Sequence, residues 1–193
     1  MRVRSHSTLC RLLLIYGDGA DGISSALLRE QQERAASIIP NSALVCTNDL
    51  VYPWERNQIH PCQKQPVGER LAFLALNRNY GFKGIKCESP VFKSMFIEGD
   101  TCYVSLDRTY GGISRYDDIE GFEVAGADKV FHRAVAGHFW VAGQDRRNET
   151  LFVTSPEVKQ PMYVRYCFRN FKLGNLKNCA NLPLMPFRTD KDE

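Results

Sequence analysis

The sequence predicts a chain of two parts, a mixed α/β segment followed by an all-β segment built as an antiparallel sandwich. Two observations carry this. The short apolar run Ser42-Ala43-Leu44-Val45-Cys46 stands between two stretches with helical spacing. After Tyr80-Gly81-Phe82-Lys83-Gly84 that spacing stops, and short β-branched or aromatic runs alternate with Gly, Asp and Pro turns. With 193 residues, 44% of them hydrophobic, the chain is long enough for one domain or two small ones and for a sizeable core.

The head of the chain, Met1 to Ile15, begins basic and turns apolar. Arg11 interrupts the run, and Gly17-Asp18-Gly19 stands where a leader would need a small-residue cleavage site, so this is a poor signal peptide. It predicts instead a strand, Leu12 to Tyr16, entering a Gly-rich loop. No apolar run reaches the length that crosses a bilayer. The glycines of residues 17–22 have the wrong spacing for a dinucleotide loop. A helix follows over Ala26 to Ser37, capped by Ser24 or Ser25, with Leu27, Leu28, Ala35 and Ile38 as its apolar stripe and Pro40 ending it. A strand over residues 43–51 comes next. Beyond a loop, Pro66 opens a second helix over residues 66–78, with Val67, Leu71 and Leu74 on one face. In the rest of the chain, strands are expected at Val91 to Glu98, Cys102 to Asp107, Gly121 to Val124, His138 to Ala142, Leu151 to Thr154 and Met162 to Phe168.

The net charge of +3 is small and the Lys and Arg residues are scattered, so neither a nucleic acid nor an acidic membrane surface is an expected partner. The seven cysteines form no CxxC pair and stand at no zinc-ligand spacing with His, so no metal site is expected. Their odd number argues against a disulfide framework, and Cys46 reads as a small core residue.

The candidate for chemistry is His60, in the loop Asp49-Leu50-Val51-Tyr52-Pro53-Trp54-Glu55-Arg56-Asn57-Gln58-Ile59-His60-Pro61. That loop leaves a strand of an α/β unit at the end where such folds place catalytic groups. The competing reading is a loop histidine packed on Trp54 or Pro61. Tyr16, Tyr52 and Trp54 could stack on a sugar ring, against an ordinary packing role for each. His132 and His138 fall in the β region with no partner in view.

Several words of the sequence occur together in a known order. They are Leu28-Arg29-Glu30-Gln31-Gln32, Ile39-Pro40-Asn41-Ser42, Thr47-Asn48-Asp49-Leu50 and Ile59-His60-Pro61-Cys62-Gln63-Lys64-Gln65-Pro66-Val67-Gly68-Glu69-Arg70-Leu71-Ala72. In this order and spacing they resemble sialate O-acetylesterases, a family of the SGNH group of serine esterases. Ser89 to Met95, Gly121 to Asp128, Val164-Arg165-Tyr166 and Pro186 to Asp190 are similar to that family's C-terminal β-rich region. The resemblance covers roughly residues 16 to 190. It implies an unmatched head over 1–15, the C-terminal part of an SGNH esterase domain over 16–82 and a β-sandwich domain over 83–193.

It also implies a chemistry: hydrolysis of O-acetyl esters on sialic acid or another glycan sugar, without a cofactor, in a periplasmic or secreted setting. The family's nucleophile is a serine following Gly-Asp; here that place is Gly19, and the segment aligns with a later loop of the family. About eighty residues with one or two strands cannot cover both faces of a doubly wound sheet. The chain is therefore expected to be the tail of a longer enzyme, inactive alone, with the N-terminal esterase portion as a partner. His60 is the expected general base. The acid that orients it in the family stands three residues earlier, where this chain has Asn57, leaving Asp49 and Glu55 as substitutes. The bland roles for these two are a turn or cap residue and a surface charge. Arg29, Glu30, Gln31 and Gln32 are either a solvated face or the family's pocket and bracing groups. Two alternatives stand beside the esterase reading: a non-catalytic β-sandwich that binds glycan or docks, and a split enzyme whose serine comes from another polypeptide.

Overall fold

The structure, a computed structural model, describes residues 7–10, 19, 21–58, 60–114, 118–139 and 150–191. The strand expected at Leu12 to Tyr16 lies outside them. Two compact units form, Met1–Glu88 with Arg169–Phe171, and Ser89–Phe168 with Lys172–Glu193. One is mixed α/β and the other is built on antiparallel sheets, the fold class that the sequence predicts. The division falls at Glu88/Ser89, a few residues past the expected border, and residues 169–171 group with the first unit.

In the first unit β1 (Ser7–Cys10) pairs in parallel with β2 (Ser42–Val45), Ser7 opposite Ser42 and Cys10 opposite Val45. The head of the chain thus supplies a strand. In β2 the side chains of Ser42, Ala43 and Val45 are buried, as a strand covered on both faces requires. Helix α2 (Lys64–Arg78) packs on it through Leu74, in a cluster with Ala43, Val45 and Cys87 flanked by Leu71 and Ile85. Burying Leu74 contributes about 1.5–3 kcal/mol. The helix begins two residues before Pro66, which sits in the first turn, where its missing N–H breaks no helical bond.

Helix α1 (Ser24–Ile38) departs from expectation in its cap and its buried face. Ser24 and Ser25 are its first residues, and no side chain at the cap position bonds the helix. The Ser25 N–H instead donates to Asn170 Oδ1 at 2.8 Å, so a residue from far down the chain accepts the bond that a local cap would take. The buried residues are Ser25, Ala26 and Arg29, while Leu28 and Ile38 of the expected stripe are exposed. Arg29 is the reason. Its fully buried guanidinium donates to the carbonyls of Arg169 at 2.5 Å and Asn170 at 3.4 Å, which orients the helix by a polar contact.

The second unit holds β3 (Val91–Glu98), β4 (Thr101–Asp107), β5 (Phe122–Ala125), β6 (His132–Arg133), β7 (Val135–Phe139), β8 (Thr150–Thr154), β9 (Tyr163–Tyr166) and β10 (Phe187–Arg188). They form two four-stranded antiparallel sheets, ordered β3-β4-β8-β7 and β10-β9-β5-β6. In β4 and β8 alternate residues are buried: Cys102, Val104 and Leu106, and Leu151 and Val153. These meet Phe122, Val124, Val164 and Tyr166 of the other sheet in one hydrophobic cluster. The strand expected at His138 to Ala142 begins at Val135, and residues 140–149 are outside the described ones. Strands β6 and β10 have two residues each, too few to show an alternation in sequence.

Candidate active site on the loop after the second strand

The loop that follows β2 is fixed at both ends by carboxylates. At its start Asp49 accepts a forked pair of hydrogen bonds from Arg70 of α2, Nη1 to Oδ1 at 2.7 Å and Nη2 to Oδ2 at 2.8 Å. Arg70 Nη1 also donates to the Cys46 carbonyl at 2.7 Å, which ties the strand end to the helix. Further on, Pro53–Glu55 makes one 3-10 turn. Glu55, 3% exposed, folds its carboxylate inward. Its Oε2 accepts from the Tyr52 N–H and its Oε1 from the Cys62 N–H, both at 2.8 Å. Hydrogen bonding from Cys62, then from Tyr52, holds the Glu55 carboxyl below the ordinary carboxylate value. The same carboxylate pushes the exposed Cys62 thiol up. One ionised side chain therefore pins the two ends of the 52–62 segment together.

His60 lies in the bend before Pro61 and is exposed, so the packed-histidine reading does not describe it. Among the described residues its ring makes no hydrogen bond. Of the sequence-predicted acids, Glu55 shares the pinned loop with His60 but spends both oxygens on backbone N–H groups. Asp49 is held by Arg70, and Asn57 is exposed on the loop. An imidazole in this setting can exchange a proton with a group brought to it.

Two features of the loop were not assigned from sequence. Asn48, 5% exposed, has neither Oδ1 nor Nδ2 in a hydrogen bond among the described residues. An amide at the end of β2 gives no sequence signal of this kind, because satisfaction depends on what surrounds it. Tyr52 and Trp54 stack with ring centroids 4.5 Å apart and planes 6° from parallel, and Trp54 remains 74% exposed. Tyr16 lies outside the described residues. Of the polar run Arg29 to Gln32, Arg29 donates to the carbonyls of residues 169 and 170.

In the second unit His132 acquires the partner that its sequence did not show, Nδ1 lying 2.9 Å from Glu157 Oε2. Both line an open cleft of about 490 Å³ with Asp128, Lys159 and Met162. Among the described residues no group of three or more His, Cys, Asp or Glu is arranged to hold a metal ion. No helix of the described residues is long and apolar enough to cross a membrane.

No family model matches the sequence. No curated protein matches it. Among solved structures, the chain is similar to the crystal structure of a carbohydrate acetylesterase from Xanthomonas citri, with 30% sequence identity and a TM-score of 0.77. The match covers 95% of this chain and 40% of that one, so the chain spans two fifths of the length of the acetylesterase that it resembles in both fold and sequence.

Proposed function

We propose that this chain is the C-terminal portion of a carbohydrate esterase that removes O-acetyl groups from glycan sugars, sialic acid among them. The observation that carries the reading is the likeness to a carbohydrate acetylesterase over 95% of the chain. The exposed histidine on a loop pinned by a buried glutamate supports it from the side of chemistry.

In the proposed mechanism a serine hydroxyl, supplied by polypeptide outside these 193 residues, attacks the acetyl carbonyl while His60 takes its proton. His60 then gives that proton to the sugar's ester oxygen as its bond to the acetyl carbon breaks, so the sugar leaves as an alcohol. Water, giving a proton to His60, next attacks the acetyl-serine, and that proton returns to the serine oxygen as acetate departs. Glu55 acts as a positioning residue, holding the loop through its ends. Asp49 acts one step further out by holding the strand end through Arg70. Asn48, buried with an amide to spare, is a candidate donor to a group that arrives with the rest of the enzyme. The test is complementation. The purified chain should give no turnover of 4-nitrophenyl acetate above buffer, and co-expression with the polypeptide encoded immediately upstream should restore it. Turnover by the chain alone would refute the division of labour.

A second reading has its own observation. On one sheet of the second unit Phe96 and Tyr103 stack at 4.7 Å, and Tyr103 meets Phe139 at 4.5 Å. This row suits a β unit that binds glycan without hydrolysis. Binding by residues 89–193 that needs no first unit would favour it.

A further inference from the structure

We propose that the open face of the Trp54 indole is the platform on which a pyranose ring of the acetylated glycan stacks. This rests on the esterase reading and adds where its sugar is held. An indole is a large apolar surface, and leaving it in water forgoes the stabilisation that burial brings. Stacking on Tyr52 covers one of its faces at most, and the 74% exposure leaves the opposite face open. An ordinary packing role would have produced the reverse.

The backbone turn that carries the ring is also fixed before any ligand arrives, and stacking on Tyr52 sets the indole parallel to that ring. Pro53 separates the two aromatic residues, the Tyr52 N–H is held by Glu55 Oε2 at 2.8 Å, and the Glu55 N–H donates to the Tyr52 carbonyl at 2.9 Å. A flat surface held this way costs little ordering entropy on binding. A pyranose has one face of polarised C–H groups that suits the negative face of an aromatic ring, and a rim of hydroxyls. Arg56, Asn57 and Gln58, all exposed, follow directly on the chain and offer donors and acceptors for that rim. His60 stands on the same pinned segment, so a sugar seated on Trp54 is carried by the loop that carries the proposed base. Neutral and acidic pyranoses share the C–H face, and the choice between them falls to the ligands of the test.

The readout needs no turnover. The sequence has two tryptophans, so Trp140→Phe leaves Trp54 as the only indole. That variant is titrated with acetylated xylo-oligosaccharides and with O-acetylated sialyllactose, following emission. A saturable change with at least one of them is expected. Calorimetry on the otherwise unaltered chain should then show binding weakened about tenfold or more by Trp54→Ala and less by Trp54→Phe, with the melting midpoint unchanged. No saturable change with either sugar, or binding that Trp54→Ala leaves intact, overturns the proposal. Saturable binding with a silent complementation assay removes the esterase reading alone, and turnover without binding through Trp54 removes this one alone.

Discussion

Removing the side chain of Asn170 should destabilise the first unit through a helix that lies far away in sequence. Asn170 is fully buried. Its Oδ1 accepts from the Ser25 N–H at 2.8 Å and the Ser24 hydroxyl at 3.3 Å, and its Nδ2 donates to the Gly19 carbonyl at 2.9 Å. In Asn170→Ala the Ser24 hydroxyl and the Gly19 carbonyl, both on exposed residues, can turn to water at little cost. The Ser25 N–H cannot, because Ser25 is 4% exposed. A buried donor left without an acceptor costs about 1–3 kcal/mol and losing a helix cap about 0.5–2 kcal/mol, so about 1–2 kcal/mol is expected. Asn170→Asp keeps the acceptor and places a negative charge at a helix N-terminus, which offsets the lost bond to Gly19. Urea unfolding followed by Trp54 emission in the Trp140→Phe background reports on the first unit. A loss below about 0.5 kcal/mol for the alanine variant, or an aspartate variant equally damaged, would refute the capping argument.

Three further outcomes follow from single contacts. Asp190 is held by Arg165 at 2.6 and 3.1 Å; burial alone would raise its carboxyl, but the hydrogen bonds and charge of Arg165 outweigh burial and hold it below the ordinary 3.8. A carboxyl depressed on folding adds stability above its unfolded value and loses it as pH falls toward the folded one, so thermal melts should drop below about pH 4 in the native chain and less in Asp190→Asn. Glu55→Gln removes the charge that suppresses the Cys62 thiolate and should speed alkylation of Cys62 at about pH 8, read by mass spectrometry; an unchanged rate would deny Glu55 its hold on the loop. Asn48→Leu should leave stability unchanged or raise it, since no hydrogen bond among the described residues is lost, and a loss of more than about 1 kcal/mol in urea unfolding would reveal a partner.

What could be read from the sequence tracks how local its cause is. The alternation of Cys102, Val104 and Leu106 is dictated by a pleated strand with one buried face, and β4 stands where that pattern places it. Helix α2 announces itself through Leu71 and Leu74, which pack in the first-unit cluster. The face of α1 could not be read, because Arg29 is buried by carbonyls about 140 residues away, and no periodicity foretells a partner so distant. The same holds for its cap, which the Ser24-Ser25 pair misleadingly suggests. At the candidate site, the resemblance singled out His60 as a candidate, and the structure places it exposed on the loop after β2. That Glu55 binds the loop's own backbone, and that Arg70 takes Asp49, depended on which backbone and side-chain groups the fold brings within 3 Å.

The most direct measurement is the rate of acetyl-ester hydrolysis by the complemented pair carrying His60→Ala. General-base catalysis by a positioned histidine contributes about 10²–10⁴-fold, so kcat/KM should fall by that factor while sugar binding through Trp54 persists. A complemented enzyme that hydrolyses acetyl esters at its full rate without the imidazole would contradict the account.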